Sequence, residues 1–187
     1  NYNNTLGHDA NIFAPVNTTL NYIGHGAISA TIRQKTGGET YITQVVTSAI
    51  DIYEPDLRGG LRVVDLNGGA AVPGDTLEYT MVVRNIGSDP SINTFVVDTL
   101  ESNVVYVPNS LKITFGPNAG NKTDTAGDDQ GEYNNPLRFV KVRVGTGANA
   151  TTGGVVLNSP TGVDSTQIKF RTTVTTDCIV LLCDNVI

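Results

Sequence analysis

Residues 72–85 read VPGDTLEYTMVVRN, and this stretch limits the fold more than any other. Pro73 and Gly74 turn the chain. Leu77, Tyr79, Met81 and Val83 then alternate with Thr76, Glu78, Thr80, Val82 and Arg84. Successive side chains of a strand point to opposite faces, so one face here is apolar and the other mostly polar. The same alternation returns in residues 165–174, where Ile168, Phe170 and Val174 are interleaved with Lys169, Arg171 and Thr173. Further strands are predicted at 61–66, 94–100, 104–115 (broken at Pro108–Asn109), 137–144 and in a last run after Cys178. Clusters such as NGG, GSDP, GPNAG, GTGANATTGG and NSPTG separate them as turns.

About seven short strands at this spacing, with no helical period, predict an all-β fold: an immunoglobulin-like antiparallel β-sandwich. Abundant Thr, Val and Asn, with 20 Gly and no Trp, suit strands and turns. The sandwich is expected over residues 56–187. The boundary falls in YEPDLRGG, because Pro55 cannot donate to a strand ladder and Gly59–Gly60 follow it. Residues 1–55 are expected to be a β-extension or the C-terminal part of a preceding β domain. In them, 26–36 and 41–55 read as a hairpin around Gly37, Gly38 and Glu39. A hairpin alone buries no core.

Eighteen acidic and 12 basic residues give a net charge of −6, which repels nucleic acid on average. Arg138, Lys141 and Arg143 on one strand are expected to be solvated cations, so no nucleic-acid partner is expected. No signal peptide or transmembrane segment is visible, and the chain opens without Met, as an excised or processed piece would. There is no G-x-S-x-G or H-E-x-x-H pattern, and His25 in GHGAIS has no nucleophile or orienting group to argue from. An enzyme is not expected.

The densest acidic stretch is KTDTAGDDQGEYN, residues 122–134. Asp124, Asp128, Asp129 and Glu132 are candidate calcium ligands, since a hard cation takes several oxygens from a flexible loop. The alternative is a solvated loop. Asp65 with Asn67, and Asp51 with Glu54 and Asp56, are weaker oxygen sets explained as readily by a turn and a linker. Cys178 and Cys183 have four residues between them. They are expected to form a local disulfide in an oxidising compartment, the alternative being two buried thiols. Sequons at Asn3, Asn17, Asn121 and Asn149 suit exposed loops, and Asp-Thr or Asp-Ser pairs at Asp75, Asp98, Asp124 and Asp164 match a short O-glycosylation pattern. Tyr22, Tyr53, Tyr106 and Tyr133 are the aromatic candidates for sugar contact, with Tyr106 placed in a strand.

The run DLNGGAAVPGDTLEYTMVVRNIGSDPSINTFVVDTLESNVVYVPNSLKI, with GPNAGNKTDTAGDDQGEYN and GTGANATTGG after it, resembles the conserved-repeat domain of unknown function in long bacterial cell-surface, adhesin and gliding-motility-associated proteins. The resemblance covers residues 53–187. It implies an immunoglobulin-like sandwich, export to the cell surface or outside the cell, and work as a spacer or adhesive stalk. Neighbouring repeats of the same chain, neighbouring filament subunits that donate a strand, and surface glycans or proteins are the implied partners. Direct membrane insertion is not implied. In such repeats the paired cysteines of TTDCIVLLCDN lie just before the final strand, so 56–187 is expected to lack its last strand.

Overall fold

The computed structural model describes residues 12–16, 22–24, 27–35, 37–38, 42–43, 45–50, 53–159 and 165–181. The chain divides into two units, Asn1–Ala49 and Ile50–Ile187. In the first, none of the described residues lies in a strand or helix, and all but Ile23 are exposed. The hairpin predicted over 26–36 and 41–55 is therefore not formed by the described residues. Apolar Ile28, Ile32, Ile42 and Val45 stay exposed, so two extended runs there gain too little burial to offset the ordering of the chain. A side-chain hydrogen bond from the Thr43 hydroxyl to Gln34 Oε1 links the two runs.

The second unit is an antiparallel two-sheet sandwich. Its strands are β1 (Leu57–Asp65), β2 (Thr76–Asn85), β3 (Ser91–Thr99), β4 (Val104–Tyr106), β5 (Lys112–Phe115), β6 (Gly120–Asn121), β7 (Gly131–Asn134), β8 (Phe139–Arg143), β9 (Gly154–Val156) and β10 (Ser165–Val174). One sheet has the order β1-β2-β10-β5-β6, with β4 also paired to β10; the other has the order β7-β8-β3-β9. The all-β sandwich class is the one the alternation predicts. Leu77, Met81 and Val83 of β2 and Ile168 and Phe170 of β10 face inward against Val140 and Val142 of β8. Each fully buried side chain of this kind contributes roughly 1.5–3 kcal/mol. Stacked rings cross the core. Tyr79 lies 4.8 Å from Phe170, and Tyr106 of β4 lies 4.0 Å from Tyr133 of β7, tying one sheet to the other.

Several elements differ from expectation for definite reasons. Gly59 and Gly60 sit inside β1, paired with Val83 and Val82, because β1 is an edge strand where missing side chains cost little packing. Residues 53–56 are stitched to the following turn: Ser88 donates its N–H to Glu54 O, and Ile86 donates to Asp56 O. Gly87 is obligatory there, since a Cβ would come within 2.3 Å of Glu54 O and Asp56 N. The run after Cys178 is not a strand among its described residues. It is a helical turn, α1 (Cys178–Leu181), started by Asp177, whose Oδ1 accepts the Ile179 N–H at 2.9 Å.

Register fixes the path of the chain. β1 begins opposite Asn85 and ends opposite Leu77, while β10 begins opposite Arg84 and ends opposite Thr76. The chain thus enters the large sheet at one end of β2 and leaves it at the other. Asn85, fully buried, closes the entry end. Its Oδ1 accepts the N–H groups of Asp56 and Gly87, both at 3.0 Å. Its Nδ2 donates to Asp89 O at 2.7 Å and to Val156 O at 3.2 Å, reaching β9 of the opposite sheet.

Asp98 is the one carboxylate on the inner face of β3, opposite Val140, and its Oδ2 is buried without a hydrogen-bond partner. Burial pushes its carboxyl above the ordinary range. A raised folded pKa gives stability that is full below the unfolded value, about 4, and is lost as pH rises through the folded value. Asp98→Val is expected to raise the melting temperature at pH 7 by several degrees, and by clearly less at pH 3. Melting curves at the two pH values check it; a variant that melts lower at pH 7 contradicts it.

Candidate functional site

The acidic stretch is a folded turn leading into β7. Asp124 Oδ1 accepts the Tyr106 hydroxyl at 2.7 Å, and its Oδ2 accepts the Asn109 N–H at 2.7 Å. Asp128 Oδ1 accepts the Thr123 hydroxyl and the Asp129 N–H. Asp129 takes the N–H groups of Thr123 and Gly131. Asp128 and Asp129 therefore fold their own loop, and Asp124 ties that loop to β4 and the β4–β5 turn. Glu132 is not gathered with them: in β7 it pairs across the ladder with Lys141 and bonds Arg143. Among the described residues no group of three His, Cys, Asp or Glu side chains could hold a metal ion. Burial, reinforced by the Asp124 carboxylate, pushes the Tyr106 hydroxyl well above its usual pKa. Asp124→Ala strands that buried hydroxyl and a backbone N–H and is expected to cost about 2 kcal/mol. Urea unfolding in chelator and in millimolar calcium should give the same loss. A loss confined to the calcium sample would make Asp124 an ion ligand.

The three cations read as solvated do structural work. Arg143 is buried, with its guanidinium 3.2 Å from Glu132 Oε2. Arg138, at φ 54°, turns the chain between β7 and β8 and donates from its guanidinium to the carbonyls of Leu100, Glu101 and Val104. Lys141 lies 4.9 Å over the Phe95 ring.

The remaining candidates are spread over the unit. Asp65 Oδ1 accepts the Asn67 N–H, and Asn67 Oδ1 accepts the Thr76 N–H, so this pair builds the β1–β2 turn. Asp56 pairs with Arg58 at 2.8 Å, Glu54 is held by Ser88, and Asp51 lies outside the described residues. Cys178 is exposed on α1; Cys183 lies outside the described residues, as do His25, Asn3, Asn17 and Asp164. Asn121 and Asn149 are exposed. Tyr22 and Tyr53 are exposed, Tyr133 is half-buried, and Tyr106 is core as expected.

Sequence reasoning missed one constellation. On β2 the residues facing away from the core are Thr76, Glu78, Thr80, Val82 and Arg84. Register places Arg58 and Arg62 of β1, Lys169 and Arg171 of β10 and Lys112 of β5 on that same outer face. Six of the 12 cations of an acidic chain thus share one sheet face, countered by Glu78 within it and by Asp56, which pairs with Arg58 at its edge. Lys169 reaches Glu78 Oε1 at 2.5 Å and Arg171 reaches Oε2 at 3.3 Å. The Lys169 hydrogen bond, aided by Arg171 and opposed by partial burial, holds the Glu78 carboxyl below its ordinary range. A groove of ≈ 550 Å³ crosses this face over Gly60 and Val82, between Arg62 and Lys169. The only sequence signal was the polar half of the alternation, because the cations come from four strands spread over more than a hundred residues.

Compared with family models, with curated proteins and with solved structures, the chain matches none.

Proposed function

We propose that the sandwich of the second unit is a load-bearing module of a longer secreted or surface-anchored chain, working as a spacer or stalk. The observation that carries this is the path of the chain. It enters beside Asn85 and leaves beside Thr76, so tension between entry and exit runs lengthwise along β1, β2 and β10. Those strands are nine to ten residues long and fully laddered, so their hydrogen bonds are loaded together rather than one at a time. The resemblance of residues 53–187 to bacterial surface repeats supports the same reading and, with it, a location outside the cell. Single-molecule pulling through residues 53 and 176 is expected to give one cooperative rupture. It should release about 400 Å of chain, at roughly 3.4 Å per residue. Gradual lengthening at low force would contradict a load-bearing role.

A second reading is a filament subunit whose neighbour adds a strand. β1 favours it: it ends its sheet, and its Leu57, Leu61 and Val63 are 43%, 56% and 43% exposed. Sedimentation decides between the two. Concentration-dependent growth that stops when Leu61 is replaced by lysine supports the filament; a monomer at all concentrations supports the stalk.

A further inference from the structure

We propose that the basic outer face of the six-stranded sheet binds a linear anionic polysaccharide, one bearing carboxylates or sulfates. Register sets the array. One row across the strands reads Arg62, Thr80, Lys169, Lys112, and a second places Arg58 beside Arg84. At about 4.8 Å between strands, the first row spans about 14 Å. Two pairs oppose like charges directly across the ladder: Arg58 with Arg84, and Lys112 with Lys169. Like charges in that position destabilise a sheet. Asp56 answers Arg58 and Glu78 answers Lys169, but no carboxylate among the described residues pairs with Arg84 or Lys112, so the face gains when an anion lies beside them.

The shape and chemistry favour a flat, extended polyanion. Gly60 lowers the floor of the groove beside Val82, and Arg62 and Lys169 stand on either side. The Thr80 hydroxyl and the Gln167 amide lie among the cations and suit the hydroxyls of a sugar chain. Glu78 fixes the Lys169 and Arg171 side chains, which lowers the entropy lost on binding.

Other polyanions fit less well. None of the groove-lining residues is aromatic, so unpaired bases find no stacking surface. Apart from Glu78 and Asp56, the rest of the chain carries 16 of the 18 carboxylates, which repels a duplex that extends past the face. Among the described residues a second copy offers few uncommitted carboxylates. Asp65, Asp75, Asp128, Asp129 and Asp177 each already accept a backbone N–H of their own loop, and Asp124 accepts the Tyr106 hydroxyl and the Asn109 N–H.

The test uses the 187-residue chain and a variant carrying Arg62→Ser, Arg84→Ser and Lys112→Ser, which spares both partners of Glu78. Binding is measured by calorimetry at low and high salt with polygalacturonate, dextran sulfate and neutral dextran. A short DNA duplex is the competitor. The chain is expected to bind one or both acidic polymers, to ignore neutral dextran and to weaken as salt screens the face. The variant should bind at least about tenfold more weakly, with a shallower salt dependence, since fewer counterions are released. Its melting temperature should be unchanged or higher, because two like-charge oppositions are gone. The carboxylate and sulfate arms distinguish the two glycan chemistries. Equal binding by the variant, equal binding of neutral dextran, tighter binding of duplex DNA, or salt-sensitive self-association in place of glycan binding would each overturn the proposal.

Discussion

Replacing Asn85 with alanine is expected to cost the sandwich about 4 kcal/mol, since each buried partner left unsatisfied costs roughly 1–3 kcal/mol. The side chain is fully buried and makes four hydrogen bonds to main-chain groups of three segments. Truncation strands the N–H groups of Asp56 and Gly87 and the carbonyls of Asp89 and Val156 together. A domain of this size is stable by only about 5–15 kcal/mol, so the variant approaches the unfolding threshold at room temperature. Asn85→Asp separates the two halves of the effect. It keeps the acceptor for the two N–H groups but turns a carboxylate oxygen toward two carbonyls, and it should be no more stable than the alanine variant at neutral pH. Urea unfolding measures both. A loss under 1 kcal/mol for Asn85→Ala would mean the entry end is held by something else.

Glu132→Ala is the second large effect, at about 3–5 kcal/mol, the range for removing one partner of a buried ion pair. Glu132 and Arg143 are both 9% exposed, and Lys141 approaches Glu132 from the same side at 3.9 Å. Removing the carboxylate leaves two cations facing each other with nothing between them. Arg143→Ala leaves Glu132 with Lys141 still nearby and should cost less. The paired change Glu132→Leu with Arg143→Met should recover most of the stability, because desolvation of two charges is no longer opposed to folding. A double variant as unstable as Glu132→Ala would show that the residues act through shape rather than charge.

What could be read in the residues followed burial. β2 and β10 were legible because each buries one face and wets the other, so their period of two is written in the polarity of ten consecutive residues. The break between β4 and β5 was legible in Pro108–Asn109, and Asn109 takes φ 57° there. β6, β7 and β9 were not, since two to four residues carry no period. The short apolar run Ile179–Val180–Leu181 fits strand or helix equally, and Asp177 decides for a helical turn by capping it. Asp124, Asp128 and Asp129 stand out in the sequence as a dense acidic run. Only the folded turn shows that the Asp128 and Asp129 oxygens are aimed at donors of the same loop and those of Asp124 at Tyr106 and Asn109. Glu132 left that cluster because strand register, invisible in one sequence, set it opposite Lys141. The basic face was hidden for the same reason: Arg62 and Lys112 share a row only through β2 and β10.

The load-bearing account depends on direction, and direction can be measured. Pulling through residues 53 and 176 loads β1, β2 and β10 lengthwise. Pulling through residues 70 and 176 starts both handles at one end of the sheet, beside the Gly74 N–H bond to Val174 O, and opens β2 from β10 one hydrogen bond at a time. The same protein, pulled at the same rate in the two geometries, is expected to rupture at a clearly higher force in the first. Equal forces, or a weaker first geometry, would contradict the proposal that this sandwich is built to carry tension along its chain.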